Sequence, residues 1–135
     1  MLRKSKGSLL DFMTVCISLL AMVLVVMVYL NLSELMLTKL EVSQVTRKYI
    51  LRMETKGYLD EGDKSALLSE LASLGMREIE LGGSTLSPVG YGENICLSVK
   101  GMVTGRVLNS EDSWLNGFVQ REFMVEENRM STAKN

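Results

Sequence analysis

Residues 12–30 read FMTVCISLLAMVLVVMVYL, and this stretch decides the architecture. It holds no charged residue, no glycine and no proline, and Asp11 and Glu34 are the nearest charges on either side. As a helix, nineteen residues rise about 28 Å, close to the thickness of a bilayer's hydrocarbon layer. Only Thr14 and Ser18 are distinctly polar within it, and a hydroxyl there bonds a carbonyl one turn back. Tyr29 stands near the far end, where an amphipathic ring suits the membrane interface. A soluble core helix of this length would carry a polar face. A cleaved secretory signal would have a shorter apolar stretch followed by small residues, and the sequence Tyr29-Leu-Asn-Leu-Ser-Glu34 offers no such site. The reading is a retained transmembrane helix over residues 9–32.

Its flanks set the expected orientation. Arg3, Lys4 and Lys6 crowd the short stretch before the helix, residues 1–8. The cations on the other side, Lys39, Arg47 and Lys48, are more distant and are offset by Glu34 and Glu41. By the positive-inside rule the N-terminus faces the cytoplasm and the remainder lies outside the cell membrane.

Beyond Leu32 neither proline nor glycine occurs until Gly57, so the helix is expected to run on as an amphipathic extension over residues 33–57. Leu35, Val42, Val45, Tyr49 and Met53 recur at helical spacing and form the stripe expected to pack on the domain that follows. Gly57 suits a C-terminal cap. A single helix over residues 9–56 would be about 70 Å long.

Residues 58–128 are expected to form a small domain. A short helix over residues 63–74 carries Leu67, Leu68, Leu71 and Leu74 on one face. Asp60, Glu61 and Asp63 crowd its start, where negative charge suits the helix dipole, and Gly75 follows its end. Strands are expected at residues 77–81, 94–108 and 118–125. In the second, Ile95, Leu97, Val99, Val103 and Val107 mark one face, and Gly101 and Gly105 suggest bends or bulges. Asn116-Gly117 is a turn signal before the third. The stretch from Glu126 is polar and expected to be loose, with residues 129–135 as a tail. The fold class is α+β: a long N-terminal helix, transmembrane and then amphipathic, packed on a small antiparallel sheet with one short extra helix. Fewer than eighty residues beyond Gly57 make a marginal core alone, and the stripe from Leu35 to Met53 supplies the missing surface.

Composition narrows the function. The chain of 135 residues has 15 basic and 16 acidic residues, no histidine and two cysteines. Setting aside Arg3, Lys4, Lys6 and Asp11 leaves 12 basic against 15 acidic residues from Ser33 onward, a mild acidity with no footprint for nucleic acid. Cys16 lies in the apolar run and Cys96 far along the chain, so they are not expected to pair. Without histidine, the usual zinc sites and Cys/His or Ser/His nucleophile pairs are not available. Gly82-Gly83-Ser84-Thr85 and Gly90-Tyr91-Gly92 lack the Gly-Lys-Ser/Thr and helix start of a phosphate loop and read as turns. Glu111-Asp112 and Glu126-Glu127 read as solvated charges, and Trp114 and Phe118 as core or interface aromatics. No catalytic residue, metal, cofactor or small-molecule substrate is expected.

Lys4-Ser-Lys6-Gly7-Ser8 is a basic leader that meets glycine, then a small residue, then the apolar helix, with Asp11-Phe12 at its threshold. A carboxylate beside lipid carries a desolvation cost unless it finds a cation or donors. Asp11 either sits hydrated at headgroup level near the positive end of the helix, or pairs with the freed N-terminal amine of a neighbouring subunit.

The string KGSLLDF, the apolar helix, the amphipathic extension and the small α+β domain together resemble pilin-like proteins, in particular the TadE-like pseudopilins of tight-adherence and type IV-like pilus systems, Firmicutes-type. The N-terminal signature covers about the first 30 residues, and the rest is similar in architecture alone. The resemblance implies that a membrane prepilin peptidase removes the leader, with Lys6, Gly7 and Ser8 as processing-site candidates. It implies that Asp11 and Phe12 take the place of the family's Glu-Phe pair in subunit contacts. The sequence differs in having Asp rather than Glu. Cleavage after Gly7 makes Asp11 the fourth mature residue, and cleavage after Lys6 makes it the fifth. The implied function is that of a membrane-anchored minor pilin or pseudopilin, drawn from the bilayer by an assembly platform into contact with other pilin-like subunits. The alternative is a single-pass structural component of a conjugation or secretion channel that is never extracted.

Overall fold

The computed structural model describes residues 3–108 and 118–134. The elements run α1 (Arg3–Lys56), α2 (Glu61–Ser73), β1 (Met76–Glu80), β2 (Asn94–Leu108) and β3 (Phe118–Thr132). The fold is α+β, a long N-terminal helix with one short helix and a three-stranded antiparallel sheet in the order β1-β2-β3. Two compact units divide at α1, Met1–Glu34 and Leu35–Asn135. The first is helical from Arg3, six residues before the expected start. With no proline, and with Gly7 its single glycine, nothing in residues 3–8 breaks the helix.

In the second unit, α1 turns one stripe inward. Val42, Tyr49 and Met53 are each 1 % exposed, and Thr46 on the same stripe is fully buried. The Thr46 hydroxyl donates to the Val42 carbonyl at 2.8 Å, which makes a polar residue tolerable in a dry core. Helix α1 closes where Gly57, at φ 79°, donates its N–H to the Met53 carbonyl at 2.7 Å. Helix α2 starts at Glu61, two residues earlier than expected, because the Asp60 carboxylate caps it by accepting from the Glu61 N–H at 3.0 Å. Leu67 and Leu71 are fully buried, and each contributes about 1.5–3 kcal/mol of hydrophobic stabilisation.

On β2 the odd positions face the helices. Ile95, Leu97, Val99 and Val103 are buried and Val107 is half-buried. The β2–β3 ladder pairs residues one-to-one from Asn94↔Thr132 to Leu108↔Phe118, so neither Gly101 nor Gly105 marks a bulge on that side. They are places of close approach. A Cβ on Gly101 would lie 2.6 Å from Met76 Cε and 3.2 Å from the Arg77 carbonyl oxygen. On Gly105 it would lie 2.5 Å from Leu35 Cδ2 and 2.9 Å from Phe123 Cε2. On the β1 side Gly101 does mark an irregularity: across from it the register of β1 to β2 shifts between Arg77 and Glu80, and Glu78 adopts φ 51°.

The expectation of a loose polar segment from Glu126, with a tail at 129–135, is corrected. Strand β3 continues to Thr132, Ala133 is 1 % exposed, and Lys134 pairs with Glu54 at 2.6 Å. Polar residues enter a strand here because α1 offers polar partners. Arg129 donates to Ser43 Oγ at 2.7 Å and to Glu127 at 2.9 Å, and Ser131 donates to Glu54. The glycine-rich turn also has a structural task. Ser84 and Thr85 bond the β2 backbone at Ser98 and Cys96 and close the part of that edge which β1 does not reach. Trp114, Glu111-Asp112 and the Asn116-Gly117 turn lie outside the described residues.

Candidate functional site

Two surfaces of α1 carry the expected functional residues. In the first unit every side chain from 7 to 30 is exposed. The most apolar eighteen-residue window has a mean hydropathy of 2.7, and none of it is buried within the chain. This is one helix long and apolar enough to cross a membrane. Its polar groups look inward to their own backbone. Thr14 donates to the Leu10 carbonyl, Asn31 to Met27 and Ser33 to Tyr29, each at 2.9 Å. Such bonds satisfy polar side chains where water does not reach.

Lys6, Gly7 and Ser8, the processing-site candidates, all lie within the helical backbone of α1. Gly7 has open space where a Cβ would stand, and Ser8 is exposed. Asp11 is exposed and Phe12 is 65 % exposed, so neither is covered within the chain.

The second surface is the packing stripe. Val42, Tyr49 and Met53 stand in the core, and Val45 is half-buried against it. Leu35 is half-buried beside Gly105. The sequence reading missed Thr46 and Ile50, both buried, and it missed what borders the stripe. Lys48, Arg52 and Lys56 recur every fourth residue and meet acids around α2. Lys48 pairs with Glu70 at 2.6 Å, Arg52 with Asp63 at 3.1 Å, and Lys56 with Asp63 at 2.8 Å and Asp60 at 3.4 Å. The Tyr49 hydroxyl donates to Glu70 at 3.1 Å, and the Lys48 and Arg52 cations each lie 5.3 Å from its ring centre. A basic i, i+4 ridge beside an apolar stripe was the available signal.

These contacts shift titrations in a consistent direction. The Lys48 ammonium bonded to Glu70 holds its carboxyl below the ordinary value, and the Lys56 ammonium does the same for Asp63. Glu54 is lowered by its bond to Lys134, then by Ser131. Lys56 is raised by its bond to Asp63. Burial, then the bond to Glu70, raises the Tyr49 phenol.

Among the described residues, no group of three or more His, Cys, Asp or Glu is placed to hold a metal. Cys16 and Cys96 are both free thiols. An open hollow of about 130 Å³ on the sheet is lined by Glu78, Glu80, Lys100, Gly101, Met102 and Met124, without a nucleophile beside a base. Compared with known proteins, the chain matches no family model, no curated protein and no solved structure. Fold and surfaces together define a chain with one candidate transmembrane helix ahead of a small α+β unit.

Proposed function

We propose that this protein is a membrane-anchored pilin-like subunit, a minor pilin or pseudopilin of a tight-adherence or type IV-like machine, and that it works by assembly rather than catalysis. The observation that carries the reading is the uncovered apolar helix. From 7 to 30 all side chains are exposed, so lipid or other apolar helices must cover them. In the membrane the bilayer covers them. In an assembled bundle the helices of neighbouring subunits do. Residues 1–8 face the cytoplasm and the α+β unit lies outside, and a prepilin peptidase acts at Lys6–Gly7 or Gly7–Ser8 before an assembly platform draws the subunit out.

The test is the intact mass of the protein extracted from membranes of its native host, with fractionation of the assembled material. A mass lacking residues 1–6 or 1–7, with the processed chain in sheared extracellular material, is the expected result. A full-length N-terminus found only in the membrane would overturn the pilin reading in favour of a single-pass structural component that is never extracted.

A further inference from the structure

We propose that the outer edge of β3 and the flank of α1 above it form a seat for one more strand, an extended segment of a different polypeptide whose side chains alternate apolar and polar, with an acidic residue among the apolar ones. The whole site lies within the unit Leu35–Asn135, between Leu40 and Glu54 on α1 and between Phe123 and Thr132 on β3.

The two edges of the sheet are finished differently. On one side β1 has five residues, its register to β2 shifts, Glu78 adopts φ 51°, and Ser84 and Thr85 close the rest of the β2 edge. Short and kinked edges resist pairing with a foreign chain. On the other side β3 runs for fifteen residues without a proline and in unbroken register to β2. It is the last strand in the order, and among the described residues no backbone hydrogen bond reaches its outer side. Its charges do not guard that edge, because Glu126 pairs with Lys100 at 3.1 Å and Glu127 with Arg129 at 2.9 Å. A row of alternating N–H and C=O groups is complementary to one kind of protein partner, another extended backbone.

The flank of α1 is a second, independent observation. Leu40, Ser43, Arg47, Leu51 and Glu54 succeed one another at three or four residues and so share one side of the helix. Arg129 donates to Ser43 and Ser131 to Glu54, so this side looks over β3. Yet Leu40 is 58 % and Leu51 51 % exposed, and Arg47 is exposed with no ion pair among the described residues. The core layer thins in the same place. Leu97 and Val99 on β2 are fully buried, while the inward positions of β3 from 123 to 131 are half-buried. A strand one place beyond β3 would lie about 4.8 Å further out and turn alternate side chains toward the helix. Leu40 and Leu51 stand about 16 Å apart along α1, a distance that roughly five residues of strand span. Apolar side chains at the two ends of such a segment meet the leucines, and a carboxylate between them meets the Arg47 guanidinium. A second copy does not supply this strand. Strand β3 turns Glu127, Arg129 and Ser131 inward, and they are bonded to Ser43 and Glu54 of their own chain, while β1 has only five residues.

The test uses the full chain in detergent micelles, extended after residue 135 by a Gly/Ser linker of about six residues and the strand TVKVTDKVT, whose valines and aspartate share one face. The tether gives the added strand a roughly millimolar effective concentration, so weak intrinsic affinity does not hide its pairing. Hydrogen exchange at residues 123–132 is read by mass spectrometry, with residues 95–103 of β2 as the measure of folding. The extension is expected to slow the fast-exchanging amides of 123–132 about tenfold, and the variant TPKPTDKPT, which lacks alternate backbone donors, to leave them unchanged. Leu51→Asn and Arg47→Glu, both at exposed positions, are expected to cut the slowing to about twofold while exchange in β2 stays as in the parent. Equal exchange at 123–132 with the two extensions overturns the proposal. Slowing that neither substitution reduces shows backbone pairing without the α1 flank, and it overturns the seat. Slowing in the unextended chain that grows with protein concentration overturns it in favour of a second copy.

Discussion

Tyr49 tests whether the helical extension belongs to the core. Its side chain is 1 % exposed, and its hydroxyl donates at 3.1 Å to Glu70, which also takes Lys48 at 2.6 Å. Tyr49→Phe keeps the ring and its burial and removes one hydrogen bond. Glu70 retains Lys48 and is 38 % exposed at the side chain, so water replaces the lost donor and the expected cost is about 0.5–1.5 kcal/mol. Tyr49→Ala removes the ring and leaves a cavity among packed neighbours, at about 3–5 kcal/mol. A domain of this size is stable by about 5–15 kcal/mol, so the alanine variant sits near the edge of folding. The assay is urea unfolding of residues 35–135 followed by circular dichroism, comparing midpoints at constant slope. Arg47→Ala, on the exposed side of α1, is the control and should stay within about 0.5 kcal/mol. A Tyr49→Ala variant within about 1 kcal/mol of the parent would refute the packing of α1 into this core.

A chain starting at Tyr58 should show no cooperative melt, since it lacks Val42, Thr46, Tyr49 and Met53; an ordinary two-state transition would contradict this. Gly105→Ala places a Cβ 2.5 Å from Leu35 Cδ2 and should cost about 1–3 kcal/mol, with Leu35→Ala relieving most of the added cost in a double-mutant cycle. Glu54, Asp63 and Glu70 have lowered folded-state values, so their stabilisation is present above the unfolded carboxylate range and is lost as pH falls through the folded values, below about pH 4. The thermal midpoint of residues 35–135 should drop in that window, and Lys56→Met should flatten part of the fall. Asp11→Ala should leave membrane level unchanged and lower the assembled fraction, with Asp11→Glu tolerated better than Asp11→Asn; normal assembly of the alanine variant in the native host would leave Asp11 as an ordinary headgroup-level residue.

Where burial follows residue type, the sequence was readable. Strand β2 has its expected bounds because apolar residues alternate along it and the odd ones are buried. The candidate membrane helix was equally plain, because nineteen uncharged residues leave few other uses. Strand β3 was cut short at Val125 because its inward positions change from Phe123 and Val125 to Glu127, Arg129 and Ser131. Those residues look like a solvated tail until Ser43 and Glu54 are seen across from them. Gly101 does face an irregularity, in the β1 register, while Gly105 was misread as a bend or bulge for a different reason. A glycine kept for space and one kept for backbone freedom are the same letter, and here the need is space, against Met76 and Leu35. The ion-paired border of α1 was present as a ridge at 48, 52 and 56, but its acids lie on another element and nothing local fixes their partners. For the candidate surfaces, the sequence placed Asp11 and Phe12 in the helix but left Lys6, Gly7 and Ser8 before it, because a basic stretch with a glycine reads as a leader, whereas α1 begins at Arg3.

Neither glycine nor proline falls between Gly7 and Gly57, so nothing in that stretch breaks α1. Here the helix that carries the apolar run also supplies Val42, Thr46, Tyr49, Ile50 and Met53 to the core. Within residues 35–135 the helix cannot slide without breaking that packing. One row of ion pairs, from Lys48 to Lys56, ties the helix to α2 and the loop before it. Another set ties it to β3 and the residues after it through Ser43 and Glu54. In the first row a shift of four residues, about 6 Å, is needed before one cation stands in another's place, and Ser43 and Glu54 have no equivalent at that spacing. An α+β unit that sheared from residues 35–56 would expose the core it shares with them.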